Sequence, residues 1–432
     1  MRRVRGASAI AAQGLPDSPA LRLAGALAKR HDRVDAMLRW RKEDWRAQDE
    51  TGAAAQGAPL GARLGATLVW DLFVRAFHWS LVAAVAVAAV TGFLLDSPWI
   101  AWHVWGGAAA AALVAARVVW GFTGPTHARF ADFVTGPRAA LAHLRELRHG
   151  HGQRHRGHNP LGALMVLGLL TVTALIALTG AITLGGVFKT GPLGFAVSYA
   201  LGDTAKDVHN ILAITMLAMI ALHVGGVIFE SRRARENLAR AMIDGRKQAR
   251  PGDAPVARVA ARPVIALALG AMILGGGTAL ALTLAQRPGF GAAVASLDPV
   301  YAEECGACHL PHNPSLLPRA SWALLMAGLD EHFGENAALD ADTTAEIAAW
   351  LDAHAAESAD TKASHRLRNV DLARPFQITA SPWWTRKHRA IADATFASRA
   401  VGGKGQCAAC HGDGAAGRFY PANISIPKET TL

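Results

Sequence analysis

Two stretches of this 432-residue chain hold all four of its cysteines: Cys305-Gly-Ala-Cys308-His309 and Cys407-Ala-Ala-Cys410-His411. Both read C-x-x-C-H. In that spacing two thioethers take the vinyl carbons of a porphyrin, and the following histidine is delivered to the iron. A zinc site or disulfides would want the same cysteines. Neither accounts for a histidine directly after each pair, twice over. The chemistry expected is one-electron redox on two covalently bound c-type haems. Each iron also needs a sixth ligand or an open position. The one methionine in this segment, Met326, is spaced with Leu325 and Leu329 as a helical core residue. The candidate axial ligands are therefore His312, His332, His354, His365 and His388. Imidazole in place of thioether lowers the potential.

A second set of histidines lies in apolar sequence. The run Asp207 to Phe229 carries His209 and His223, 14 residues apart. As a helix this places both imidazoles on nearly one face, roughly 21 Å apart along the axis. Intramembrane ionisable residues are rare and usually functional. Two depths on one stripe suit two stacked haems, each needing a second histidine from another helix. His78 and His103 lie in the two preceding apolar runs. Depth pairs His103 with His209 and His78 with His223. Gly106, Gly107, Gly225 and Gly226 follow two of these histidines. They would let a flat macrocycle approach the backbone, or serve plain small-residue helix packing. Arg117 lies 14 residues beyond His103, and Arg75 precedes His78 by one turn. Either would pair with haem propionates, or snorkel to the interface.

The elements that position these residues are long apolar runs: Leu68–Leu95, Trp99–Phe122, Leu161–Phe188, Val208–Phe229 and Pro263–Leu284. Each is long enough to span a bilayer. Apolar residues make up 51% of the chain and charged ones 18%, which points to a membrane protein. The net charge of +11 does not signal nucleic acid, because Lys and Arg gather beside the runs. Arg129, Arg138, Arg145, Arg148, Arg154 and Arg156 separate the second run from the third. Arg232, Arg233, Arg235, Arg240, Arg246, Lys247 and Arg250 separate the fourth from the fifth, whereas only Lys189 and Lys206 lie between the third and fourth. The positive-inside rule then puts the N-terminus and both basic loops in the cytoplasm. The Lys189 loop and everything after the fifth span fall outside.

Residues 1–66 form a basic cytoplasmic extension, read as a tail rather than a surface-lying helix over Leu21–Arg46. Residues 67–250 form the di-haem transmembrane domain, 251–287 a linker with the fifth span, and 288–432 a periplasmic dihaem domain. No secretory signal peptide opens the chain. His143, His149, His151, His155 and His158 read as a solvated, pH-sensitive loop rather than a metal site. In the C-terminal segment, helices are expected at Ser321–Leu329 and Thr343–His354, with a turn near Gly334 and N-cap oxygens from the DADTT run.

Longer motifs add a resemblance. VWDLFVRAFHWS, AWHVWGG, HNPLGALMVLGLL and the VHN…LHVGG spacing resemble the bacterial cytochrome b561 / nickel-hydrogenase cytochrome b family over about Leu68 to Lys247. The resemblance implies a four-helix, two-haem membrane domain that exchanges electrons with quinone, with ligands at His78, His103, His209 and His223. ECGACH, LDEHFGENAALD, WWTRKHRAI and QCAACHGDGAAGRF resemble the dihaem cytochrome c family. That implies two bis-histidine haems with distal ligands at His332 and His388. The fifth span and the basic extension depart from the plain b561 pattern.

The fold expected is an all-α membrane protein: a four-helix haem-binding bundle, a fifth spanning helix and a small, mainly α-helical dihaem c-type domain. The function expected is electron transfer through two b and two c haems, between quinone or quinol in the lipid and a periplasmic soluble redox protein such as a c-type cytochrome. The rivals are a cytochrome b subunit of a larger oxidoreductase such as a hydrogenase, a superoxide:quinone oxidoreductase, and a haem-based membrane sensor. A sensor lacks its signalling domain here, and the repeats or broken helices of a transporter are not visible.

Overall fold

The computed structural model describes residues 65–95, 97–149, 154–250, 258–370 and 373–427. The N-terminal extension and its Leu21–Arg46 stretch lie outside the described residues.

Among the described residues, five helices are long and apolar enough to cross a membrane: α1 (Leu72–Phe93), α2 (Ile100–Thr123), α4 (Pro160–Phe188), α5 (Tyr199–Ala234) and α6 (Pro263–Ala285). A twelve-residue helix, α3 (Pro137–Arg148), lies in the loop between α2 and α4. Local chemistry sets the helix ends. Asp71 caps α1 by accepting from Val74 N–H at 3.1 Å. Asn159 caps α4 from Gly162 N–H at 2.7 Å, with Pro160 at the first helical position. Ser198 caps α5, which ends on Arg235 in the left-handed region at φ 47°. α5 thus runs well past the apolar stretch 207–229 at both ends. α6 contains a π-helical stretch, Ala271–Gly276, and buries none of its residues within the chain. An apolar helix that touches α2 on one side and buries no residue fits a lipid surround.

α1 packs on α2 and α4 on α5, and α2 joins the two hairpins through α4. α5 meets α1 and α2 through histidine rings. At the end of the bundle where α1 begins, strand β1 (Ala66–Leu68) pairs antiparallel with β2 (Arg246–Gln248), tying the start of the bundle to the segment after α5. A small core of Val69, Trp70, Val74, Ala128 and Ala241 seals this end.

The C-terminal domain packs on the opposite end, where α2 begins and α4 finishes. Its main core is Tyr301, Leu317, Trp322, Met326, Leu329, Ile347, Leu351 and Ala355. Helices Arg319–Ala327 and Ala341–His354 supply half of it, and Asp340 caps the second through Asp342 and Thr343 N–H. Met326 is a core residue, 7% exposed. The turn between these helices takes positive φ at Phe333 and Gly334 (56° and 92°). The second lobe, around Leu316, Ala363, Leu367, Trp383 and Phe419, is built of short helices and 3-10 turns.

The histidine-rich loop differs from its expectation as a solvated segment. His143 is 3% exposed, and its ring lies 5.2 Å from that of His155. His158 packs between Trp70 and Phe133, each with ring centroids at 4.6 Å. Enclosure, then the cations Arg117 and Lys247, pushes the His158 pKa down to about 3. His149 remains exposed, and His151 lies outside the described residues.

Candidate functional site: four imidazole pairs

The chain brings eight of its histidines into four pairs. In the bundle, His103 and His209 have ring centroids 5.9 Å apart, and His78 and His223 6.5 Å apart. In the C-terminal domain the separations are 6.2 Å for His309 with His332 and 6.1 Å for His388 with His411. A metal–imidazole bond is about 2.0–2.1 Å, so two rings on opposite faces of one metal have centroids about 6.3 Å apart. All four pairs therefore have the spacing of axial ligands. Among the described residues no group of three or more His, Cys, Asp or Glu converges on one point, which is what a zinc site would need.

Hydrogen bonds orient half of these rings. Nδ1 of His103 lies 2.9 Å from Ala88 O, and Nδ1 of His209 lies 3.0 Å from Ile176 O. His309 Nδ1 is 2.9 Å from Leu310 O, and His388 Nδ1 is 2.9 Å from Trp384 O. Donation of Nδ1–H to a carbonyl fixes the tautomer and leaves the Nε2 lone pair for a metal. Burial, then the neighbouring imidazole, lowers the pKa of His332 and His411 and so favours the neutral form of each.

Two glycines that the sequence reading did not single out make room in the bundle. A Cβ on Gly92 would lie 3.0 Å from His103 Cε1 and Nδ1, and one on Gly180 would lie 3.2 Å from His209 Cε1. Their signal is visible only once α1 is set against α2 and α4 against α5. The glycines chosen from sequence divide. Gly106 sits against the α1 backbone, where a Cβ would lie 3.1 Å from Ala84 O, whereas Gly107, Gly225 and Gly226 face open space.

Arg117 is 2% exposed and lies over the Phe130 ring at 5.2 Å, with Nη1 lacking any hydrogen-bond partner. Asp71 spends its carboxylate elsewhere, on Val74 N–H and on Trp120 Nε1–H at 3.2 Å. An enclosed guanidinium with an idle N–H fits an anionic partner outside the polypeptide. Arg75 donates Nη1–H to Ile243 O, and its Nε is also enclosed without a partner.

All four cysteines are unpaired. Burial raises the thiol pKa of Cys305, Cys407 and Cys410, the opposite of what a reactive dithiol requires. Each motif adjoins one histidine pair. His312 also comes within 5.7 Å of His309. His332, and not His312, lines a pocket of about 240 Å³ with Leu325, Gly328, Glu331, Phe333 and Phe376. Of the two other candidates, His365 is engaged elsewhere, its Nε2 2.7 Å from Asp360 Oδ1, and the His354 ring lies against Trp350 with centroids 5.0 Å apart.

Comparison with known proteins bears on both halves. The family described as prokaryotic cytochrome b561 matches residues 69–245, and the family described as dihaem cytochrome c matches residues 301–419. The C-terminal part is similar to three solved structures. A diheme cytochrome c from Rhodobacter sphaeroides is 38% identical, covered over its whole length by 29% of this chain, with a TM-score of 0.26. The DHC protein purified from Rhodobacter sphaeroides is 33% identical, wholly covered by 29% of the chain, with a TM-score of 0.23. A diheme c-type cytochrome from Shewanella baltica is 33% identical over 92% of its length and 30% of this chain, with a TM-score of 0.25. The curated proteins returned no match. Residues 69–245 match the prokaryotic cytochrome b561 family and the C-terminal domain belongs to the dihaem cytochrome c family, a fusion of the two that carries electrons on haem in a membrane.

Proposed function

We propose that this protein moves electrons between quinone or quinol in the bilayer and a soluble periplasmic redox protein such as a c-type cytochrome. Two haem b groups lie in the bundle, one between His103 and His209 and one between His78 and His223. Two covalent haem c groups lie in the C-terminal domain. Cys305, Cys308, His309 and His332 hold one, and Cys407, Cys410, His411 and His388 the other. The haems supply one-electron transfer when bound. The chain fixes the ligands, excludes water and sets the charge around each site. Arg117, and with it Arg75, pairs with haem propionates at the His78–His223 level. The bundle spans the plasma membrane five times, with the N-terminus cytoplasmic and the C-terminal domain periplasmic, as the arginine-rich loops require.

The observation that carries this reading is the recurrence of one imidazole spacing, between 5.9 and 6.5 Å, at four places, two of them beside a C-x-x-C-H motif. Alkaline pyridine spectra of the purified protein should give haem b and haem c in equal amounts, with only haem c surviving acid-acetone extraction. Haem c with no haem b would sink the bundle assignment. A reporter fused after Leu432 should work only if it is of the kind active outside the cytoplasm.

A further inference from the structure

Asp360 contacts none of the paired histidines through its carboxylate, which gathers partners from both halves of the protein. Its Oδ2 accepts from Lys189 Nζ at 2.8 Å and from Tyr199 N–H at 2.7 Å. Its Oδ1 lies 2.7 Å from His365 Nε2. Lys189 ends α4 in the left-handed region at φ 54°, and its side chain is 4% exposed and also reaches Val197 O at 3.1 Å. Tyr199 is the first residue of α5, the helix that carries His209 and His223. One carboxylate thus joins the end of α4 to the positive N-terminus of α5. The Tyr199 ring stacks on His365, with centroids 4.6 Å apart and planes at 27°.

The chain leading out of α6 is fastened at the same place. Phe290 N–H donates to Gly194 O at 2.8 Å, and Asp360 N–H donates to Gly291 O at 2.7 Å. Gly291 has φ +58°, and a Cβ there would fall 2.4 Å from Asp360 Cβ, so that position needs glycine for both conformation and space. Arg287 lies over the Phe195 ring at 5.0 Å.

These contacts orient the domain as well as hold it. The segment after the second C-x-x-C-H motif rests on the bundle. The turn Pro421–Asn423 packs on the turn Ser97–Trp99 and on α2, whose first turn carries His103. The Tyr420 ring meets Phe188 of α4 edge-on at 5.5 Å. The same segment is bonded back to the motif, through Gly412 N–H to Asn423 O at 3.0 Å and Ser425 N–H to Cys410 O at 2.8 Å.

We propose that Asp360 is the positioning residue that docks the C-terminal domain on the bundle, turning the His388–His411 site toward the His103–His209 site. This order of sites rests on the proposed function; the docking itself does not. Asp360 is tied to its role by count and type of partners: one ammonium, one helix N-terminal amide and one imidazole converge on it. Asparagine of the same shape keeps at most the weaker of these bonds.

The test is hydrogen exchange on the full-length, haem-loaded protein in detergent, comparing the parent with Asp360→Asn and Lys189→Gln. The peptide carrying Tyr199 should exchange about tenfold faster in Asp360→Asn, the change that goes with one lost charge-assisted hydrogen bond. Lys189→Gln should give a smaller change in the same direction. Haem content and the potential of each haem should stay at parent values in both. Reoxidation of the b bands by a soluble oxidant should slow in step with the loss of protection, while that of the c bands keeps the parent rate. Unchanged protection in both variants would overturn the proposal, and so would loss of protection with b-band reoxidation at the parent rate. Should the parent protein hold no haem, the proposed function fails while the exchange comparison still decides the docking.

Discussion

The bundle and the C-terminal domain reach the same ligand spacing by different means. In the bundle the paired histidines are far apart in sequence, 106 residues for His103 and His209 and 145 for His78 and His223. Their positions follow from helix packing alone. His103 is fixed by a carbonyl of α1 and a gap at Gly92, and His209 by a carbonyl of α4 and a gap at Gly180. In the C-terminal domain each pair is 23 residues apart, and the rings sit on short helices and turns. Local chain of that kind positions a ligand less firmly than a packed helix. On the proposed reading, thioethers from the two cysteines beside each pair would compensate by attaching the porphyrin whatever the ligand does, and covalent attachment would stand in for long-range packing.

Retention of haem should expose this difference most sharply. His223→Ala removes half of a site whose hold is non-covalent, and most of that haem b should be lost on purification. His332→Ala or His388→Ala should keep full haem c, with one iron changed to five-coordinate. Pyridine spectra give the content and near-infrared or resonance Raman spectra the ligation. Equal loss from both halves would break the comparison.

The next largest effect concerns the niches around the bundle rings. Gly92→Ala and Gly180→Ala each push a methyl against a ring already tied to a carbonyl. The cost expected is about 1–3 kcal/mol of overpacking, read as partial loss of the haem held by His103 and His209. Gly107→Ala, facing open space, should be neutral in the same assay.

These niches also mark where sequence reading ended. The five spans were legible because hydropathy and length are local, and the cap at Asp340 was visible in the DADTT run; those at Asp71 and Asn159 were not singled out. α5 extends to Tyr199 and Ala234 because its polar ends, DTAKD and ESRR, are helical but not apolar, and hydropathy reads only the apolar part. The four bundle histidines stood out as polar residues in apolar runs. Gly92, Gly180 and Asp360 did not, since each acts through a residue on another element. The histidine-rich loop misled for the same reason. Its burial depends on Trp70 and Phe133, neither of them beside His158 in sequence.

Arg117 gives a smaller effect that sharpens the contrast between enclosed and exposed charge. Arg117→Leu removes a positive charge from the His78–His223 level, so the ferric state there gains relative to the ferrous. The potential of that haem should fall by some tens of millivolts, on the order of a few-fold in equilibrium constant. The other three haems should hold their values in the same titration.

The smallest effect is on pH. Burial alone would raise the Asp360 pKa, but the bonds from Lys189, Tyr199 N–H and His365 outweigh it and hold the group below the usual carboxylate range. A depressed folded pKa contributes docking stability above the undocked carboxylate value, and that contribution fades as pH falls through the docked one. Hydrogen exchange at Tyr199 should therefore respond little to pH, once corrected for intrinsic rates, down to about pH 4, and rise below it.

The measurement that bears most directly on the account is a potentiometric titration of the b bands in four single variants. Depth along α5 separates His209 from His223 by 14 residues, roughly 21 Å, so one haem cannot use both. His103→Ala and His209→Ala should disturb one and the same b haem and spare the other; His78→Ala and His223→Ala should do the reverse. A common haem altered by His103→Ala and His223→Ala would contradict the pairing, and native b spectra in all four variants would show that these histidines do not hold haem.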